Sequence, residues 1–205
     1  MSYIQCVATF SQVILTSDGR VCFHNGEIVR EDYKKIKRIN RNLAVAFAGL
    51  TIPCEIIIDN TINKFDEDVI DKINVDEFYN KLFLESKNYN KLYFEENQKN
   101  LKTQFIIGGL RNNDNLGILT LSVNNEFKSE NYFSNTSDNI SFASGTSNQL
   151  GDSLLGDNLI KLDSTGNSVS LLEIKKVMND TSRYMATIDN SVNSKIFREI
   201  IYKLI

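Results

Sequence analysis

The sequence predicts an α+β layered fold in which helices cover each of its sheets. Strand and helix patterns fall in separate blocks: strands, two helices, strands, two helices, then a final strand. No Gly-, Ser- or Pro-rich linker interrupts that order, and a single proline leaves no stiff spacer. A chain of 205 residues with 41% apolar and 24% charged residues has ample material for one core. Residues 1–205 are therefore read as a single domain, with no internal repeat.

Tyr3 to Phe10 and Val13 to Ser17 alternate as two strands joined at Ser11-Gln12, and Asp18-Gly19 closes the second. A short extended piece, Val21 to Phe23, enters the turn His24-Asn25-Gly26. Strands Lys34 to Ile39 and Leu43 to Phe47 follow. At Ala48-Gly49 the pattern changes. Thr51 is placed to cap a helix, Pro53 suits a first turn, and Ile56 to Phe65 reads as helical despite three consecutive isoleucines. In the next helix Val75, Phe78, Tyr79, Leu82, Phe83 and Tyr89 recur at helical spacing, a stripe that suits core packing.

Strands resume at Gln104 to Leu110, Gly117 to Val123 and Glu126 to Tyr132, with turns at Asn112-Asn113-Asp114 and Asn124-Asn125. Ile140 to Ala143 is a further short strand. Helices are expected near Asn148 to Ile160 and from Ser168 to Ile188. Lys195 to Ile205 ends the chain as a β-type run.

The formal charge of −3 provides no footprint for nucleic acid or an anionic membrane. Lys34, Lys35, Lys37 and Arg38 read as one charged face of a strand, balanced by Glu31 and Asp32. No apolar run approaches the ~20 residues that cross a bilayer. Met1 to Gln5 shows no secretory pattern, and Cys6, Cys22 and Cys54 fit reduced thiols, so a cytoplasmic location is expected. The only histidine, His24, sits in a turn. A hydrolase built on this chain therefore needs a base other than histidine, and no metal-ligand pattern is present.

Ser2 opens the first strand and Ser17-Asp18-Gly19-Arg20 ends the second. Tyr33-Lys34-Lys35-Ile36-Lys37-Arg38-Ile39 precedes Leu43-Ala44-Val45-Ala46-Phe47-Ala48-Gly49, which leads directly into a helix. This arrangement resembles the proteasome β subunits and the peptidase subunit of the bacterial ATP-dependent protease similar to them. These are N-terminal-nucleophile (Ntn) hydrolases. Asp18 follows Ser2 at the family's spacing between nucleophile and buried aspartate, and Lys35 and Gly49 keep the family's mutual distance. One extra residue falls between Arg20 and Lys34, near Asn25-Gly26. Matching back from Gly49 selects Lys35 as the site lysine, whereas counting from Ser2 selects Lys34. Phe142-Ala143-Ser144-Gly145 is similar to the corner whose serine supports the nucleophile, and Asp189 falls where the second aspartate is found. The chain departs from the family with Ser2 in place of threonine, Leu50 in place of a second glycine, and Val192 in place of a serine.

The resemblance implies a four-layer αββα sandwich, with two packed, mainly antiparallel sheets covered by helices. It also implies a site in which Ser2, freed by loss of Met1, is nucleophile and its own amine is base. That amine titrates at about 7.7–8.0 when unperturbed. A lysine ammonium alongside lowers its pKa, Asp18 holds the lysine, and the Gly49 N–H receives the oxyanion, a contact worth about 3 kcal/mol. Ser144 and Asp189 form the supporting shell.

Two functions of different class follow, and a third stands behind them. The first is a peptidase or amide hydrolase inside a homo-oligomeric ring, with an ATPase as a possible partner. The second is a catalytically inactive ring or scaffold subunit. The third is an acylase for a small amide, with an open pocket and no ring. Cys6 as nucleophile would put Asp18 and Lys35 at the wrong separations. No cofactor is implied.

Overall fold

In the computed structural model, residues 2–23, 25–123, 128–133, 140–145, 150–163 and 169–203 are described. Met1, His24, the Asn124-Asn125 turn and the expected helix starts at Asn148 and Ser168 lie outside them. The strands are β1 (Ile4–Ala8), β2 (Gln12–Asp18), β3 (Val21–Cys22), β4 (Ile28–Arg30), β5 (Ile36–Arg38), β6 (Leu43–Gly49), β7 (Thr103–Leu110), β8 (Leu116–Val123), β9 (Lys128–Phe133), β10 (Ser141–Gly145) and β11 (Ile196–Tyr202). The helices are α1 (Thr51–Ile62), α2 (Val75–Asn97), α3 (Leu150–Asp163) and α4 (Leu171–Ile188). One sheet has the order β10-β1-β2-β11 and the other β5-β6-β7-β8-β9, with β3 and β4 forming a separate hairpin. The pairings within both large sheets are antiparallel.

Side-chain alternation explains how the two sheets stack. Ile4, Cys6 and Ala8 of β1 and Val13 and Leu15 of β2 meet Ala44, Ala46 and Ala48 of β6, Ile106 of β7 and Ile118 of β8. Small residues permit this close approach. A Cβ added at Gly108 would lie 2.7 Å from Val13 Cγ1 and 2.8 Å from Cys6 Sγ. On the outer face of the five-stranded sheet, Val45, Phe47, Phe105, Ile107 and Leu119 bury against Cys54, Ile57 and Ile58 of α1 and Phe78 and Leu82 of α2. On the outer face of the other sheet, Val7 and Ile14 pack on Leu155 and Leu159 of α3 and Ile174 and Met178 of α4. The result is the expected αββα sandwich. Each fully buried Ile, Leu or Phe in these layers contributes about 1.5–3 kcal/mol of transfer free energy.

Four local expectations require correction. Helix α1 begins at Thr51 rather than Ile56. Its cap is Leu50, which supplies no side-chain hydrogen bond, so Thr51 is the first helical residue rather than the cap. Burial of Ile57 and Ile58 against the sheet outweighs the weak helix propensity of the isoleucine run. Strand β4, fully exposed, had no apolar alternation to announce it and pairs with β3 through a bulge. The charged cluster does not occupy one strand face. Lys34 and Arg38 reach Glu199, Lys37 reaches Asp59, and Lys35 turns inward. Glu31 and Asp32 are instead engaged by Arg20 and Arg30.

Candidate active site

At the end of β2 the chain buries a carboxylate, that of Asp18. Asp18 and Lys35 are each only 1% exposed. Lys35 Nζ donates to Asp18 Oδ1 at 2.9 Å and also to the Arg20 carbonyl. The same Oδ1 accepts the Tyr3 N–H at 2.9 Å, and Oδ2 accepts the Arg20 N–H at 2.8 Å. The Tyr3 N–H belongs to the peptide that follows Ser2. Lys35 Nζ and the Ser2–Tyr3 peptide are thus within two hydrogen-bond lengths of each other. Ser2 itself is 5% exposed, so the polar group at this position is enclosed.

Register explains why Lys35 and not Lys34 is the inward lysine. Ile36 pairs with Ala46 in β6, and the Phe47 N–H donates to the Lys35 carbonyl at 3.1 Å. The Lys35 N–H in turn donates to Ser17 Oγ at 3.3 Å. Neighbouring residues of an extended segment face opposite sides, so Lys34 leaves for Glu199 at the surface. Burial pushes the Lys35 ammonium below its usual pKa, and the charge of Asp18 and its hydrogen bond oppose that shift.

Gly49 lies two residues beyond Phe47 on the same strand. Its φ is +110°, and a Cβ there would stand 2.3 Å from the Lys102 carbonyl oxygen and 2.9 Å from Thr103 Cα. The backbone at this corner therefore excludes a side chain for two separate reasons. Ser144 is buried in β10 opposite Gln5 of β1, three residues along the chain from Ser2. Asp189 caps the C-terminus of α4, and its Oδ1 accepts the Ser191 N–H at 2.8 Å and the Ser191 hydroxyl at 2.5 Å. The following loop reaches the site: Val192 is buried with Tyr3 and Met185, and Arg20 Nη1 donates to the Asn190 carbonyl at 2.5 Å. Asp18 and Lys35 thus meet directly and Ser2 adjoins them through the chain. The Asp189 carboxylate, by contrast, is spent on its own loop.

Three participants were not foreseen: the Arg20 carbonyl, the Tyr3 N–H and Asn193, whose Oδ1 accepts the Gly19 N–H at 2.9 Å. Backbone groups leave no mark in a sequence. Asn193 stands in an unpatterned stretch before β11, and its position just ahead of the last strand was the only available signal. Among the described residues, no group of three or more His, Cys, Asp or Glu is placed to hold a metal ion, and no helix is long and apolar enough to cross a membrane.

No family model and no curated protein matches the sequence. Solved structures do match. Eukaryotic HslV from Trypanosoma brucei superposes with a TM-score of 0.64 at 17% identity, covering 98% of this chain and 99% of that one. The Gly-1 mutant of Anbu from Hyphomicrobium sp. strain MC1 superposes with a TM-score of 0.72 at 15% identity, covering 98% of this chain and 82% of that one. At such identities the likeness speaks of fold. The chain shares its αββα fold with HslV and Anbu.

Proposed function

We propose that this chain is a proteasome-like hydrolase of peptide or small amide bonds, with Ser2 as nucleophile once Met1 is removed. The observation that carries the reading is the shared oxygen. Asp18 Oδ1 binds both the buried Lys35 ammonium and the peptide that follows Ser2. In the reaction the free Ser2 amine takes the hydroxyl proton as Oγ attacks the amide carbonyl. The amine then returns that proton to the leaving nitrogen, which leaves an ester on Ser2, and water hydrolyses the ester. Lys35 favours the neutral amine by charge repulsion and stabilises the developing negative charge. Asp18 and the Arg20 carbonyl keep the ammonium charged and aimed. Gly49 offers its N–H to the oxyanion at a corner that only glycine fits. Ser144 and Asp189 are assigned supporting roles, Asp189 by fixing the loop that carries Val192. The working form is a homo-oligomeric ring in the cytoplasm, with an ATPase as the candidate partner.

A second reading, an inactive ring subunit, is favoured by one observation. Val192, where the family has a serine, packs into an apolar cluster with Tyr3 instead of offering a hydroxyl. Hydrolysis of fluorogenic peptides separates the two readings. The assay compares Met1-free wild type, Ser2→Ala and a form whose retained Met1 is verified by mass. Activity confined to the first supports the hydrolase. Equal activity in Ser2→Ala contradicts it, and none in a verified Met1-free oligomer selects the inactive subunit.

A further inference from the structure

We infer that Asn193 is a positioning residue for the site: it clamps the Gly19-Arg20 segment so that the Arg20 carbonyl is held against Lys35 Nζ. The inference rests on the N-terminal-nucleophile reading for its catalytic consequence, but its geometry stands independently. Asn193 is 6% exposed and uses both ends of its amide. Its Oδ1 accepts the buried Gly19 N–H at 2.9 Å. Its Nδ2 donates to the Glu31 carbonyl at 2.8 Å and to Glu31 Oε2 at 2.9 Å.

The two segments it joins are already in contact. The Tyr33 N–H donates to the Gly19 carbonyl at 2.9 Å, and a Cβ on Gly19 would lie 2.8 Å from the Glu31 carbonyl oxygen. Glycine lets the two backbones touch here, and Asn193 binds both from one side. The clamp continues into Arg20. Its Nε and Nη2 meet Glu31 Oε1 at 3.0 and 2.8 Å. Because Asn193 fixes Oε2 of the same carboxylate, Glu31 is oriented toward Arg20 from within. The hydrogen bond from Asn193, with the Arg20 charge behind it, also holds the Glu31 carboxyl below its usual pKa. The Glu31 side chain is 51% exposed, so its pair with Arg20 alone would hold little.

Arg20 is therefore fixed on every side but one. Its N–H goes to Asp18, its guanidinium to Glu31 and the Asn190 carbonyl, and the preceding N–H to Asn193. The remaining group, its carbonyl, accepts from Lys35 Nζ. A residue that only glued two loops together could be lost with no effect on Lys35. A positioning residue could not, because the ammonium would lose one of its two fixed acceptors.

The test is amine acetylation of the full-length chain, followed by mass spectrometry, in wild type, Asn193→Ala and Asn193→Asp. Exposed Lys34 is the internal reference, and thiol labelling of buried Cys6 and Cys54 reports global opening. In wild type Lys35 reacts far more slowly than Lys34. In Asn193→Ala the Lys35 rate rises at least about 10-fold relative to Lys34 while both thiols stay protected, as local opening requires. Asn193→Asp preserves volume and the Gly19 acceptor but faces Glu31 with a second carboxylate, so it shows the same rise. It also supplies the answer if the alanine variant does not fold. In Met1-free protein with peptide substrate, kcat falls roughly 10- to 100-fold and KM stays within about 2-fold. Lys35 rates equal to wild type in both folded variants overturn the inference, as does a rise matched by Cys6 and Cys54. Absence of hydrolysis in wild type would remove the catalytic reading alone, since the acetylation result does not depend on it.

Discussion

Asp18 and Lys35 form a buried pair whose members are not interchangeable in cost. Asp18 retains two backbone N–H donors if Lys35 is lost, whereas Lys35 without Asp18 keeps a buried charge and one carbonyl. Asp18→Asn is therefore expected to destabilise the fold by about 3 kcal/mol in urea unfolding, and Lys35→Met by less. The lysine also sets a pH signature. Its folded pKa lies below its unfolded value of about 10.4, so between those values the unfolded chain holds more protons. Lys35 accordingly makes stability rise as pH increases through that window. Urea midpoints at pH 7 to 10.5 should show a smaller rise in Lys35→Met than in wild type. A steeper rise in the variant would contradict the assignment. At Gly49, alanine meets both a positive φ and a 2.3 Å contact, whereas at Gly26 (φ +87°) a Cβ meets nothing within 4 Å. Gly49→Ala should cost about 3 kcal/mol and Gly26→Ala about 1 kcal/mol by the same measurement. The choice between Lys34 and Lys35 shows the limit of reading residues alone. Spacing narrowed it to two neighbours, but the Phe47 to Lys35 backbone bond decided it, and backbone registration is not written in residue types.

Among the elements, helix α2 was legible from the apolar stripe on its face, whereas the capping chemistry at its start and at that of α4 went unread. Helix α2 begins with a complete capping box: Asn74 accepts from the Asp76 and Glu77 N–H groups, and the Glu77 side chain returns to the Asn74 N–H. Helix α4 repeats it with Ser170 and Glu173. Asn74 also donates to Asn112 Oδ1 at 2.6 Å, which ties the helix start to the β7–β8 turn. Asn74→Ala should therefore lower stability by about 1.5–2 kcal/mol and Ser170→Ala by about 1 kcal/mol in thermal or urea unfolding. Equal losses would show that the Asn74–Asn112 contact contributes nothing. Helix α1 was misjudged at its start because Leu50 carries no capping oxygen and is recruited by the core. Strand β4 escaped notice because exposed Ile28, Val29 and Arg30 offer no alternation. Both errors arise where tertiary contacts or hairpin pairing outweigh local pattern.

At the scale of the whole molecule, the layered order was visible because strand and helix blocks were separate along the chain, and the αββα stacking was implied by the family resemblance. What the pattern did not show was how tightly the sheets approach. Ala44, Ala46, Ala48 and Gly108 make that interface thin. Gly108→Ala should destabilise the protein by about 1–3 kcal/mol through overpacking against Val13 and Cys6. Self-association belongs to the same scale. If identical contacts close into a ring, light scattering at micromolar concentration shows a discrete oligomer, and a clean monomer would favour the small-amide acylase instead. The most direct test of the central claim is covalent. The Met1-free protein is treated with a peptide bearing an acylating β-lactone, and the adduct is mapped by mass spectrometry. One adduct per chain is expected on Ser2, sharply reduced in Lys35→Ala and absent when Met1 is retained. An adduct on another residue such as Cys22, or none on Ser2 in a fully processed oligomer, would contradict that claim.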